Sequence, residues 1–290
     1  MTQNAASLLS AFVRAHHTRG RRERIFTDPL AYDLLGSAEY SRIGRSLPES
    51  MGVAWNGSAG NTAEIIGWMM DHRLGPIYLG RSAFAEHSLE NAAMIGTSQY
   101  ILFGAGLDSF AHRMPNWAGS LAVFEVDHPL ASRDKRQRIN EWGIQSPAAL
   151  RYVTADLMGY MWPATLIACP GFDPKARSFC NLTGLSFQLS RLHLEGLLER
   201  LSHILPKGSS VVLDYANRNS FEPVPELYEI PYRFHCDDIE RILETRGFLI
   251  YEHLEPEDLS LQYFDRYNAI YPARPMQPPH GVHFCLAVRR

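Results

Sequence analysis

The feature that most constrains this chain is an apolar run that ends abruptly in a Gly-x-Gly turn. Residues Gln99–Phe103 lead into Gly104, Ala105 and Gly106, and a second strand-like run follows at Leu121–Asp127. A strand that turns over glycines leaves bare backbone, which a ligand can approach closely because no Cβ intervenes. An acidic residue at the tip of the next strand can accept hydrogen bonds from a ribose diol. The pattern therefore predicts a pocket for a nucleoside-containing cofactor.

Composition limits the classes of protein that the chain can represent. Its 290 residues suit one large domain, or one domain with a helical extension, and an apolar fraction of 46% is ample for one core. We expect no membrane span, because no run of about 18 apolar residues occurs. We expect no nucleic-acid partner, because the formal net charge is −3. A small molecule or a protein is the default substrate, and a monomer or homodimer the default assembly.

Cysteine and histidine spacing bears on compartment and metals. The cysteines are scattered and form no Cys-x-x-Cys pair; they are Cys169, Cys180, Cys236 and Cys285. This usage, with no secretory signal pattern at the start, favours reduced thiols in a cytoplasmic protein over disulfides or a zinc site. The spacing of His280 and His283 could suggest a metal, but no third ligand accompanies them. We therefore expect no metal.

The chain divides into two regions by its pattern of apolar residues. Residues 1–95 show helical spacing and no convincing strand, with helices expected around Leu8–Val13, from Asp28-Pro29 to Gly36, and over Thr62–Asp71. Residues 51–60 are rich in Gly and Ser and predict a loop. Strands and helices alternate over residues 96–290. We predict an N-terminal helical cap or lid followed by a core domain.

The alternation in the second region predicts a parallel, doubly wound sheet. The predicted strands are Tyr100–Phe103, Leu121–Val126, Arg151–Thr154, Phe179–Leu182 and Ser209–Tyr215. The predicted helices between them are Leu107–Met114, Leu130–Trp142 and Arg191–Leu205. The final part differs, since strands Phe248–His253 and Val282–Val288 follow helix Asp237–Arg246 and are separated by a Pro- and Tyr-rich loop without a helix. That arrangement favours an antiparallel hairpin. Insertions are expected near residues 216–236 and 254–280.

Two motifs carry a specific resemblance. Phe103–Ser109 and Phe124–Pro129 lie about 20 residues apart, and Lys135-Arg136 follow on the next helix. Together they resemble the leucine carboxyl methyltransferase-like family, which includes bacterial S-adenosylmethionine-dependent enzymes of natural-product pathways. The resemblance extends over nearly the whole chain, through Phe26–Ala31, Gly80–Ser82, Ala155–Leu157, Val212–Ala216 and Gly247-Phe248. It implies an α/β, Rossmann-like class I methyltransferase fold: a mostly parallel seven-stranded sheet with an antiparallel last strand, an N-terminal helical cap and lid insertions.

The resemblance also implies roles toward S-adenosyl-L-methionine as cofactor. Gly104, Ala105 and Gly106 would let the backbone approach the methionine moiety, and Asp127 would accept the ribose hydroxyls. Glu125, two residues earlier, faces the same way but lies deeper.

Further cofactor contacts follow from the same resemblance. Asp156 would face the adenine amino group, with the Leu157 backbone nearby. Arg81, and with less support Arg14, would hold the cofactor carboxylate through charge-assisted hydrogen bonds, although either could lie on a solvated helical face instead.

The chain departs from the family pattern at the boundary between cofactor and acceptor. Thr183 stands where the family commonly has a glutamate, and Gln188 where it has a tyrosine. A hydroxyl and an amide form hydrogen bonds but carry no charge at neutral pH. Ser82–Glu86 departs as well, because acidic residues often follow the arginine directly. We still expect cofactor binding, but the acceptor need not be the family's usual one.

Several functions remain open from the sequence. The first is methylation of a small, apolar or aromatic secondary metabolite, with oxygen favoured over a ring carbon or nitrogen as the acceptor atom. The others are methylation of a protein C-terminal carboxylate and a cofactor-binding protein that does not methylate. A nicotinamide oxidoreductase is disfavoured, because Ser109 replaces the third glycine of its fingerprint.

No catalytic base can be identified from the sequence. His16, His17 and His235 are imaginable bases. Aromatic residues could line a substrate lid, and the candidates are Trp55, Trp68, Tyr228, Tyr232, Phe234, Tyr263, Phe264 and Tyr267.

Overall fold

A computed structural model describes residues 3–20, 22–50, 62–219 and 234–290. Five α-helices precede the first strand in this part of the chain: α1 Gln3–Gly20, α2 Ala31–Leu35, α3 Ser37–Ser50, α4 Thr62–Met69 and α5 Gly75–Met94. A π-helical turn, Met70–Leu74, joins α4 directly to α5. The helical character expected for residues 1–95 is confirmed for the described residues of that region. The loop expected at 51–60 lies outside the described residues.

The remainder alternates strands with helices. The strands are β1 Gln99–Phe103, β2 Ala122–Asp127, β3 Leu150–Thr154, β4 Ser178–Asn181, β5 Ser210–Ala216, β6 Phe248–Leu254 and β7 Val282–Arg289. The helices are α6 Pro129–Glu141, α7 Trp162–Ile167, α8 Arg191–Ile204, α9 Cys236–Thr245, α10 Pro256–Leu259 and α11 Asp265–Ile270. The predicted strands are all present, with ends shifted by at most one residue.

The strands form one seven-stranded sheet in the order β3-β2-β1-β4-β5-β7-β6. Strands β1 to β5 pair in parallel, and β7 runs antiparallel between β5 and β6. The predicted fold class and the terminal hairpin are therefore confirmed. The strand order reverses between β1 and β4, and in open α/β sheets ligands bind at the carboxyl ends of the strands beside such a reversal.

Both faces of the sheet are covered, which explains the fully apolar runs in β1 and β5. Side chains alternate between faces along each strand. Tyr100 and Leu102 pack with α1 and α5, whereas Ile101 and Phe103 pack with residues of α7, α8 and α9. The helices before β1 thus share one core with the sheet.

The predicted helix over Leu107–Met114 is wrong. A single 3₁₀ turn, Phe110–His112, stands in its place, followed by another at Asn116–Ala118. The Asp108 carboxylate accepts the N–H of Phe110 at 2.8 Å, which holds the chain in a local turn where the helix was expected to begin, and Pro115 prevents a longer helix. Helix α5 packs across the same face of the sheet against β4, β5 and β7.

The helix-free loop predicted between the last two strands is also wrong. Helix α10, a π-helical turn at Ser260–Phe264 and α11 occupy it. A reciprocal capping box between Glu255 and Asp258 starts α10. Leu259 and Phe264 are then buried against Gly80 of α5, where a Cβ would lie 2.6 Å from Leu259 Cδ2. Tertiary packing thus made helices of a Pro- and Tyr-rich segment.

Candidate functional site

The turn after β1 needs glycine at two positions. Gly104 and Gly106 have φ angles of +67° and +49°, which side chains with a Cβ rarely adopt. A Cβ on Gly106 would also lie 2.6 Å from Ser7 Cβ of α1. Gly104 donates its N–H to the Val126 carbonyl at 2.8 Å, and its own surface stays exposed. Bare backbone therefore faces outward between β1 and α1, with the buried Ala105 between the glycines.

Asp127 ends β2 directly beside this turn. Its Oδ2 accepts the N–H of Gly106 at 2.8 Å, and its Oδ1 accepts the N–H of His128 at 2.7 Å. Burial raises the pKa of Asp127, while these two backbone bonds act in the opposite direction. An ionised carboxylate can accept about four hydrogen bonds, so each oxygen retains capacity for another donor. The side chain is held in place and can still accept two hydroxyl groups.

These groups line a cavity at the carboxyl ends of β1, β2 and β4. It contains about 1020 Å³ of empty space, part of which is open to solvent. Seven of the predicted cofactor residues line it: Arg14, Arg81, Gly104, Ala105, Gly106, Asp127 and Thr183. Helix α1 also contributes Ser7 and Ser10, so the N-terminal region forms one wall.

Asp156 and Leu157 do not line this cavity. They follow β3, whose neighbour β2 ends in Asp127, and the N–H of Ala155 donates to the Asp127 carbonyl at 2.9 Å. The exposed Asp156 accepts the N–H of Met158 at 2.9 Å. They therefore flank the cavity beyond Asp127. Glu125 is buried deeper and forms an ion pair of 2.7 Å with Lys135.

Both predicted arginines are anchored by buried carboxylates rather than lying on a solvated face. Arg81 donates from Nε to Asp214 Oδ2 at 2.7 Å, and Asp214 also accepts the N–H of Gly184. Arg14 donates from Nε to Asp28 at 2.8 Å and from Nη2 to the Leu107 carbonyl at 2.7 Å. A guanidinium has five N–H donors, so an anchored one can still present donors to a ligand.

Several neutral polar side chains form another part of the cavity wall. Asn181 at the end of β4 donates to the Tyr100 hydroxyl at 3.0 Å, and its Oδ1 accepts both the N–H and the Oγ1–H of Thr183. Burial raises the pKa of Tyr100 well above its usual value. Gln188 lies in the same cavity wall. Sequence reasoning found Thr183 and Gln188 but missed Tyr100 and Asn181, whose signal was only their position on adjacent strands.

Glu86 of α5 is a further cavity residue that sequence reasoning did not identify. It lines the cavity and binds the Arg113 guanidinium through both carboxylate oxygens. Arg113 lies 3.6 Å from Asp28, the anchor of Arg14. Burial raises the pKa of Glu86 although Arg113 lowers it, whereas Asp28, despite burial, has its pKa lowered by Arg14 and Arg113. The signal available in the sequence was helical spacing, since Glu86 follows Ser82 by four residues and Ser82 also lines the cavity.

Glu86 also lines a second cavity, together with Ala83 and Arg113. Three aromatic side chains form part of its wall: Phe26, Trp117 and Tyr263. Tyr263 thus lies where an aromatic lid residue could act. Phe264 and Tyr267 are buried in the core instead, Phe234 is buried beside Tyr215, and Trp68 stacks on His72. Trp55, Tyr228 and Tyr232 lie outside the described residues.

Among the described residues, no histidine lines either cavity except His87 in the second. His16 contacts the Tyr40 hydroxyl, and His17 accepts the N–H of Ile25. His235 is the residue before α9. In the part of the chain that the structure describes, no helix is both long enough and apolar enough to span a membrane.

The chain is similar to several known proteins. A Bacillus subtilis (strain 168) protein, provisionally named as an S-adenosyl-L-methionine-dependent methyltransferase, is 31% identical over 276 residues, which cover 89% of this chain and 90% of that protein. The magnesium protoporphyrin IX methyltransferase of Synechocystis PCC 6803, solved with bound S-adenosylhomocysteine, matches 89% of this chain and 97% of its own at 13% identity and a TM-score of 0.46. A Galdieria sulphuraria structure, provisionally named as a sarcosine dimethylglycine methyltransferase, gives a TM-score of 0.48 at 8% identity and covers 73% of this chain and 86% of its own.

The family model for leucine carboxyl methyltransferase matches residues 7–202, more than half of the 290. That span includes the glycine turn, Asp127, both arginines and Thr183. The chain therefore belongs to the leucine carboxyl methyltransferase family and is an S-adenosyl-L-methionine-dependent methyltransferase.

Proposed function

We propose that this enzyme methylates a hydroxyl group of a small organic molecule. In this proposal, the cofactor lies across the ends of β1 and β2, and the acceptor reaches it from the side of α5. The observation that carries the proposal is Glu86, a carboxylate with a raised pKa that lines both the cofactor cavity and the neighbouring aromatic cavity.

The residues around the first cavity fit S-adenosyl-L-methionine in their chemistry. Gly104 offers exposed backbone, and a Cβ at Gly106 would collide with Ser7, so the turn tolerates no side chain there. Asp127 offers acceptor capacity for a ribose diol, and Arg14 and Arg81 offer cations for a carboxylate. Asp156 and Leu157, which flank the cavity beyond Asp127, would meet the adenine ring.

The bound cofactor supplies an electrophilic methyl group on a positively charged sulfur. The protein's main contribution to such an in-line displacement is to align the acceptor and exclude water. Helix α1 covers the glycine turn with Ser7, Ser10 and Arg14, which shields that wall from solvent.

A hydroxyl acceptor also requires removal of its proton, whereas a carboxylate does not. Among the described residues lining both cavities, Glu86 is the one carboxylate common to them. Its raised pKa makes it a better proton acceptor than an ordinary glutamate. Arg113 holds the carboxylate in one orientation. We assign Glu86 as the general base.

The acceptor is proposed to be small and partly aromatic. Phe26, Trp117 and Tyr263 offer flat apolar surfaces beside Glu86. Thr183 is neutral where the family commonly carries a charged glutamate, and its hydroxyl bonds to the neutral Asn181 amide, which favours an uncharged acceptor over a peptide carboxylate.

The test is methyl transfer from methyl-labelled cofactor to three acceptor sets: phenols and alcohols, their O-blocked analogues, and a peptide ending in leucine. We expect label in the free hydroxyl compounds alone, recovered as an ether. Label in the peptide would assign carboxyl methylation instead, and label in the O-blocked analogues would assign a ring carbon or nitrogen. Tight cofactor binding with no transfer to these three sets or to a metabolite extract assayed beside them would contradict the proposal.

A further inference from the structure

Three potential metal ligands converge on the sheet face opposite the cofactor cavity. Cys236 is the first residue of α9, His253 lies in β6, and His283 lies in β7. On β5, Asp214 reaches Arg81 at the cavity, so the next residue, Tyr215, points to the other face. His283 pairs with Tyr215 across β5 and β7, and therefore shares that face. The cluster is thus separate from the methyl-transfer site.

The distances suit coordination of one ion. One ligand atom from each of Cys236, His253 and His283 lies within 4.8 Å of the others, and Cys236 Sγ is 3.8 Å from His283 Nδ1. Tetrahedral zinc places a sulfur and a nitrogen ligand roughly 3.5 Å apart, given bonds of about 2.3 and 2.0 Å. Small side-chain movements would therefore complete the geometry.

The surroundings bury and orient the ligands. The His283 side chain is 4% exposed and lies between α9 and the edge strands. The Tyr215 hydroxyl lies 2.8 Å from His253 Nε2 and fixes that ring. A hydrogen bond at one imidazole nitrogen leaves the other free to bind a metal.

We propose that Cys236, His253 and His283 form a site for Zn²⁺, with a water molecule in the fourth position. One thiolate and two imidazoles are a donor set that Zn²⁺ accepts readily. These ligands are far apart in the sequence, and the pairing of β6 with β7 together with the packing of α9 on β6 brings them close.

Zn²⁺ binding would displace protons from its ligands. Asn217 Nδ2 lies 3.0 Å from His283 Nε2 and 3.4 Å from Cys236 Sγ. Donation from the amide places the imidazole proton on Nδ1. On binding, Cys236 loses its thiol proton to solvent, the His283 proton moves to Nε2, and the Asn217 amide turns so that its oxygen accepts it. The net change is one proton released per Zn²⁺ bound.

The site would tie the start of α9 to the edge strands β6 and β7. A metal that binds only the folded state stabilises it by mass action. Zn²⁺ at about 100 times its Kd should raise the Tm by about 5 °C in a protein of this size.

The test titrates metal-free full-length protein with Co²⁺ alone and records absorption. We expect one equivalent to bind, with visible bands and a near-ultraviolet thiolate-to-metal charge-transfer band that Zn²⁺ abolishes by displacement. Cys236→Ser should remove the charge-transfer band, and His283→Gln should weaken binding at least about 100-fold. Cys169→Ser and His280→Gln, outside the cluster, are matched controls that should leave the spectrum unchanged.

Thiol protection keeps the test valid if a variant misfolds. In the wild-type protein, Zn²⁺ should slow alkylation of Cys236 and leave that of Cys169 unaffected. Absence of the charge-transfer band in wild-type protein, its retention in Cys236→Ser, or equal alkylation of Cys236 with and without Zn²⁺ would each overturn the proposal.

Discussion

The two ends of the cofactor cavity are built in different ways. At the glycine end, Gly104, Gly106 and Asp127 come from neighbouring strands and are connected by backbone hydrogen bonds. At the polar end, Glu86 comes from α5 and Thr183 follows β4, so residues nearly 100 positions apart form one wall.

This difference separates two kinds of specificity. Backbone groups and one carboxylate can recognise a cofactor shared by many enzymes. Recognition through exposed backbone leaves few residue types possible at the glycine turn and at position 127. Side chains brought together by tertiary packing can change without disturbing the glycine turn. The glycine end should therefore control cofactor affinity, and the polar end should control turnover and the choice of acceptor.

The largest effect is expected for Asp127→Ala. Losing two charge-assisted hydrogen bonds, at about 1.5–3 kcal/mol each, should weaken cofactor binding by more than about 100-fold. Calorimetry with S-adenosylhomocysteine measures the affinity, and circular dichroism checks the fold. Asp173→Ala, which alters an exposed carboxylate that lines neither cavity, is the control and should leave the affinity unchanged. Unaltered cofactor binding by Asp127→Ala would show that the glycine end does not control cofactor affinity.

Glu86→Gln should lower kcat by about 100-fold while leaving cofactor affinity unchanged, because only the base is lost. Burial raises the pKa of Glu86, so in the wild-type enzyme kcat should fall as pH decreases through that raised value, where the carboxylate becomes protonated. The variant should lose this acidic limb of the pH profile. Glu141→Gln, an exposed glutamate of α6 that lines neither cavity, should behave like wild type. An acidic limb that persists in Glu86→Gln would assign the base elsewhere.

Gly106→Ala should weaken cofactor binding about tenfold, because the new Cβ meets Ser7 and the residue keeps a positive φ. Gly143→Ala is a matched control with φ of +62° and open space around its Cβ, so it reports the strain without the collision. Ser7→Gly in the Gly106→Ala background should restore part of the affinity, measured by the same calorimetry. No difference between the two alanine variants would exclude the collision as the cause.

The smallest effect on the cofactor is expected for Thr183→Val. It removes the 2.7 Å bond from Oγ1 to Asn181 but keeps the backbone N–H bond to the same oxygen. Cofactor affinity should change by less than about threefold, which corresponds to under 1 kcal/mol. The KM for the hydroxyl acceptor should change more, with Thr183→Ser as the conservative control. Equal changes in both constants would show that the two ends are not independent.

Sequence patterns identified the parts of the fold that depend on neighbouring residues. The alternation of strands and helices predicted the sheet and its terminal hairpin, and the Gly-x-Gly turn identified the residues around Asp127. Prediction failed at Leu107–Met114, where one side-chain cap and one proline outweigh helical spacing, and at Pro256–Ile270, where burial against α5 stabilises helices that propensity does not favour.

By itself, the sequence determined the sheet, the glycine turn and the acidic residue beside it, because local backbone requirements leave few residue types at those positions. Only the tertiary structure decided which polar groups share the cavity wall: Glu86 with Arg113, and Tyr100 with Asn181 and Thr183. It also decided that Cys236, His253 and His283 meet on the opposite face. Contacts between distant residues depend on strand order and helix packing, which spacing along the chain does not encode.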